Sequence, residues 1–307
     1  PLGLRPARIY AEVAPSASHA LHMPTHIFFA LGMWKEGAAG NVDSYEAAKA
    51  TTERRGDPLN GHGYHALQWL AYARAQLGQY DEARTVVERG MQHARDSDGM
   101  AAGYERYILA NYPAMYVVET QRWDEMASFD INTSDMSSAR RIAVEAVRGM
   151  AALETGDRAA AEQARDAARA VADTVDAIDR VPLMQLEALL TLDDGDTDAA
   201  LAVLDEAAAL EDEQPLSFGP ADPLKPTHEL YGEVLLDLNR PADAQTQFEH
   251  ALARYPGRAL STWGRAQAAA EAGHTEAADE ARTALTQMWN AADADVRQRL
   301  DTLSATR

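Results

Sequence analysis

The chain has 307 residues, a formal charge of −20 and no cysteine. Such acidity excludes nucleic acid and anionic membranes as main partners, because both reward Lys and Arg. The missing thiols exclude disulfides, thiolate zinc sites, iron–sulfur clusters and Cys nucleophiles.

With 46% apolar residues, the chain can bury an extended core, and its wealth of Ala, Leu, Glu, Asp and Arg favours helix. No run of about 18 apolar residues marks a membrane span. No signal peptide is visible, and the chain opens Pro1-Leu2-Gly3 without an initiator Met. Lys35, Lys49 and Lys225 are the only lysines. With so much Ala, that bias fits a soluble protein from a GC-rich bacterial genome, in the cytoplasm or the cell envelope.

In chain order, residues 5–14 before Pro15 read as the second helix of a pair without its first. This sets the expectation of a missing N-terminal half, or of a second chain that completes the site. Helix pairs follow at 17–34 with 36–54, 61–77 with 80–94, and 99–120 with 122–129. A polar break at 131–137 separates them from pairs at 138–155 with 157–178, and at 182–193 with 196–210. The four prolines of 211–226 keep that segment extended, either as a linker between two sub-arrays or as a strap across the groove. Pairs at 226–238 with 241–254 and at 258–272 with 275–289 follow, and a polar helix at 292–304 caps the end. The expected organisation is therefore a repeat array over 1–210, a linker or strap over 211–226, and a second array over 227–307.

The clearest unit is Leu230 to Pro256. Ala244 and Ala251 let two helices approach, Phe248 fills the gap between them, and Pro256 stops the second. This unit resembles the tetratricopeptide repeat. The resemblance implies an all-α superhelix of paired antiparallel helices, about seven repeats long, with a concave groove. Weaker copies align on turns at Gly32, Gly78, Gln121, Gly156, Gly195, Asn239 and Gly273, where Gly or Asn supplies a left-handed helix ending.

Five of the nine histidines fall between residues 19 and 65. His19, His22 and His26 stand at i, i+3 and i+7, within about a 60° arc of one helix. His62 and His65 follow, also three apart. His19 and His65 each lie thirteen residues before a turn glycine, which puts them at equivalent positions on adjacent first helices facing the groove. Glu105 matches His62 in the third repeat. Neutral imidazoles with one carboxylate suit a divalent metal, Zn or Fe with open positions. The same residues also suit hydrogen bonding to a peptide in the groove, and Pro24 inside the helix threatens the shared face. Tyr64, Trp69, Tyr104, Tyr107 and Asn111 are candidate groove residues beside the histidines. Helical spacing also explains the aromatics as core, and Asn41 and Asn111 read more simply as exposed caps. Arg140 reads as a solvated charge. Asp193 to Asp198 lacks the span and the closing Glu of a calcium loop, and reads as a helix stop and start. No nucleotide loop or nucleophile elbow is present.

HALHMPTHIFFALGMW, YHALQWLAYARAQLGQYDEA and PLKPTHELYGEVLLDLNRPADA together resemble an uncharacterised family of bacterial tetratricopeptide proteins. His19, His22, Pro24 and His26 match its H-A-L-H-M-P-[ST]-H-I-F motif. Gln68 departs from it, because an acidic residue is more usual there. The resemblance implies the fold and the histidine site, and no reaction. Two functions follow as expectations. One is an interaction scaffold that binds a peptide or protein segment in its groove. The other is a metal-dependent enzyme, a hydrolase or an iron oxygenase, working from the His-rich site.

Overall fold

The computed structural model describes residues 3–97, 102–216 and 218–305. Pro1, Leu2 and the expected helix start at 99–101 lie outside the described residues. Among these there are fifteen α-helices, two 3-10 helices and no strand. The α-helices are α1 (Leu4–Val13), α2 (Ser18–Ala30), α3 (Trp34–Arg55), α4 (Gly61–Gln76), α5 (Tyr80–Asp96) and α6 (Ala102–Thr120). They continue as α7 (Ser138–Glu154), α8 (Arg158–Ala172), α9 (Val181–Asp193), α10 (Thr197–Asp212) and α11 (Thr227–Asp237). The last four are α12 (Pro241–Arg254), α13 (Ala259–Glu271), α14 (Thr275–Met288) and α15 (Ala294–Ala305). No helix among the described residues is long and apolar enough to cross a membrane.

Consecutive helices pack as pairs, α2 on α3, α4 on α5, and so on to α13 on α14. All seven expected turn residues take positive φ, from 55° at Gln121 to 85° at Gly195. The helix endings are closed by six-to-one backbone bonds, such as Met33 N to Phe28 O and Gln79 N to Arg74 O. Two elements are shorter than the sequence suggests. The second member of the third pair is only a 3-10 helix, Trp123–Ser128. Helix α8 ends at Ala172 instead of reaching 178, because the Thr174 hydroxyl and amide both bond to Val171 O and end the regular ladder.

The tight crossings follow from small residues. Phe248 is fully buried between α11, α12 and α13, and Gly264 leaves room for its ring, since a Cβ there would come within 2.2 Å of it.

The C-terminal pairs return to the N-terminal ones. Trp34 Nε1 donates to Gly257 O at 2.8 Å, Asp293 N to Gly78 O at 3.0 Å, and Trp289 Nε1 to Gln76 O at 3.0 Å. Residues 213–216 and 218–226 cross between these halves, and Ala221 and Leu224 enter the same core as α2 to α6. We call this segment the strap.

Arg258 lies where the halves meet and is fully buried. Its Nε and Nη2 hold Glu229 at 2.7 and 3.0 Å, while Nη1 holds Glu119 at 2.7 Å and donates to Tyr72 OH at 3.0 Å. Lys225 of the strap also binds Glu229, at 3.1 Å, and reaches Glu233 at 2.7 Å. Gln76 donates to Glu119 and accepts from Ala259 N. Burial alone would raise the Glu229 carboxyl, but Arg258 and Lys225 hold it down to about 2.

Replacing Arg258 with Met is expected to strand Glu119 beside Glu229 and to destabilise the protein by about 3–5 kcal/mol, read as a lowered urea midpoint. A midpoint within error of wild type would show that the guanidinium is dispensable.

Candidate metal centre

Helices α2 and α4 lie side by side and carry the histidines. Helix α2 runs unbroken through the buried Pro24, so His19, His22 and His26 stay on one helix. His22 is buried, His26 and His65 are half-buried, and His19 and His62 are exposed. The ring contacts pair His22 with His65 at 4.5 Å between centroids, and His19 with His62 at 5.2 Å. Adjacent rings are thus offset by one helical turn from the level expected for His19 and His65. Successive first helices are displaced along their axes, so equivalent repeat positions do not face each other directly.

One ligand nitrogen from each of His22, His26 and His65 lies within 4.8 Å of the other two. Their hydrogen bonds fix the tautomers. Asn41 Nδ2 donates to Gly37 O at 2.8 Å, so its Oδ1 faces His22 and accepts from Nδ1–H at 2.8 Å. The Phe218 carbonyl of the strap accepts from His26 Nδ1–H at 3.1 Å. Both rings therefore present bare Nε2 lone pairs, and those two atoms stand 3.1 Å apart. Two lone pairs at that distance repel unless a cation lies between them. A proton is disfavoured, because burial pushes His22 down to about 3 against the opposing Asn41 bond, with His65, His26 and His19 adding to the fall. Burial, ahead of the nearby imidazoles His26, His62 and His19, likewise takes His65 down to about 4. Burial also lowers His26.

Nitrogens around one zinc-type ion sit about 3.3 Å apart, close to the 3.1 Å between the His22 and His26 Nε2 atoms, while a His65 nitrogen lies within 4.8 Å of the other two rings' ligand atoms. A carbonyl or amide oxygen on the far nitrogen is the usual support for a metal-binding imidazole. Trp69 closes the back of the site, with its ring 4.7 Å from His22 and 4.4 Å from His26.

Glu105 is not part of the group. It accepts a hydrogen bond from Ser97 and lies beside Tyr64. Asn41 is no exposed cap, since it is fully buried and orients His22. Nothing in the sequence pointed to the Phe218 carbonyl.

Beside the centre lies a cavity of about 570 Å³, bounded by His26, Trp69, Gln68, Tyr107, Asn111 and Arg140, and roofed by strap residues 218–222. Gln68 donates to Tyr107 OH at 2.9 Å and to Asn111 Oδ1 at 3.1 Å. Arg140 caps the Tyr107 ring at 4.4 Å, and that ring stacks on Tyr104. Tyr64 lies deeper, edge-on to Tyr104, and its backbone oxygen accepts from Tyr112 OH. Trp69, Tyr107 and Asn111 thus line the cavity, while Tyr64 is core. No protein-family model matches the chain, and no curated protein matches it.

A base depressed in the fold stays neutral there, while its unfolded form protonates below about pH 6.5. Stability of the chelator-treated protein should be full above that pH and fall as the pH drops towards 4. Near pH 5, unfolding should take up about two protons through His22 and His65. The pH slope of urea stability should therefore shrink by about one proton in His65→Gln. An unchanged slope would mean that the His65 ring is already titrating freely in the fold.

Proposed function

We propose that the protein binds a divalent ion of the zinc class on His22, His26 and His65, and acts with it as a hydrolase on a small polar ligand in the adjoining cavity. The observation that carries this reading is the pair of Nε2 lone pairs held face to face by Asn41 and Phe218. Three neutral nitrogens would leave a bound ion its full charge and an open position, and the ion would supply there a water of lowered pKa. The lack of a carboxylate in the set favours zinc over the two-histidine, one-carboxylate iron arrangement. His26 borders both the centre and the cavity, so a ligand there lies beside the ion. Gln68, Tyr107 and Arg140 supply polar groups to orient it. We read the seven stacked pairs as tetratricopeptide-type repeats that serve as the frame.

Equilibrium dialysis against Zn²⁺ tests the centre. His22→Asn should abolish one tight equivalent, and Asn41→Ala should weaken it about 10–100-fold by freeing the ring it orients. Zinc bound with unchanged affinity by both variants would sink the proposal. The reaction class is tested by turnover of small esters, amides and phosphoesters, which should be lost in His22→Asn. A zinc-loaded protein inert towards all of them would leave a binding site without hydrolysis.

A second reading, a groove for a peptide or protein segment, draws on the extended strap already lying against Trp69. Selected peptides that displace the strap, seen through Trp69 emission, would favour it. Peptides that bind elsewhere would count against it.

A further inference from the structure

The strap leaves α10 directly after Asp212 and re-enters helix at Thr227, next to His228. Both ends of the segment that roofs the cavity therefore meet at one place, beside α12. We propose that Asp212, His228 and His250 form a second divalent-cation site that clips the two ends of the strap to α12.

The three side chains bring one ligand atom each within 4.8 Å of the others. His228 is buried, while Asp212 and His250 are exposed, so the site opens to solvent on one side. The Gln247 amide oxygen lies 2.6 Å from His228 Nδ1 and accepts its proton. In the neutral ring this turns a bare Nε2 towards Asp212 Oδ2, 3.2 Å away. A lone pair and a carboxylate oxygen face each other there, at about the spacing of two ligands on one zinc-type ion. A proton could bridge those two atoms, but it has no use for a third donor. His250, 5.0 Å from His228 between ring centroids and edge-on, provides one. The set of two imidazoles and a carboxylate suits zinc and its divalent neighbours. The surrounding bonds hold the same corner: Glu211 accepts from Thr227 N at 2.8 Å, and Tyr255 OH donates to Asp222 O at 2.9 Å. An ion here tightens the base of the strap, whose middle supplies the Phe218 carbonyl to His26. The inference uses none of the histidines of α2 and α4.

Calorimetric titration of the full chain with Zn²⁺, after chelator treatment, tests it. Wild type should take up two equivalents. His65→Gln should keep the one at the base of the strap, and His250→Asn or Asp212→Asn should lose it. In the His65→Gln protein, zinc should slow chymotryptic cleavage at the exposed Phe218 severalfold, and adding His250→Asn should remove the protection. Wild-type stoichiometry in both His250→Asn and Asp212→Asn would overturn the proposal and leave only the His228–Asp212 hydrogen bond. A single equivalent that survives His22→Asn but not His250→Asn would uphold this site while removing the one between α2 and α4.

Discussion

A guanidinium with no exposed surface is tolerable only when every charge it carries is answered, and Arg258 is answered twice. Glu119 comes from α6 and Glu229 from α11, and Tyr72 of α4 adds a hydroxyl. These groups are 139 and 186 residues from Arg258 for the α6 and α4 partners, so the contact fixes two distant parts of the stack in one arrangement. Apolar packing alone tolerates sliding, whereas a planar fork between two carboxylates does not. Lys225 ties the end of the strap into the same network. The position of the strap over α2 and α4 thus depends on a charge cluster that includes none of the histidines of those helices.

The candidate centre is the local outcome of that long-range constraint. The helices supply three imidazoles, but the tautomers come from elsewhere: an amide on α3 for His22 and a strap carbonyl for His26. Burial keeps the rings neutral, which is the state a metal needs. The cavity has the same dual origin, with walls from α4, α6 and α7 and a roof from 218–222.

Much of the frame was legible before any coordinates. Turn residues announce themselves because a left-handed ending needs Gly or Asn, and six of the seven turns carry one; Gln121 was placed only by its register. The i, i+3, i+7 spacing of the histidines was legible for the same geometric reason. What stayed hidden depends on partners far along the chain. Arg258, Glu119 and Glu229 look like any solvated charges, because burial leaves no local mark on sequence. Arg140 read as solvated too, and its stacking on Tyr107 depends on α7 meeting α6. The stagger between His19 and His65 was missed because a count along the repeat ignores axial displacement. Glu105 was placed with the histidines by the same count, and it lies with Ser97 and Tyr64 instead.

The return of the last pairs onto the turns of the first two changes what kind of object this is. In an open array each unit leans only on its neighbours, so units can be added or trimmed at an end and unfolding can creep inward from there. Here Gly257 meets Trp34 and Asp293 meets Gly78, so the later pairs also lean on the turns of the first two, far away along the chain. Unfolding that starts in the later pairs must therefore break these contacts as well, which couples units that an open array would leave independent.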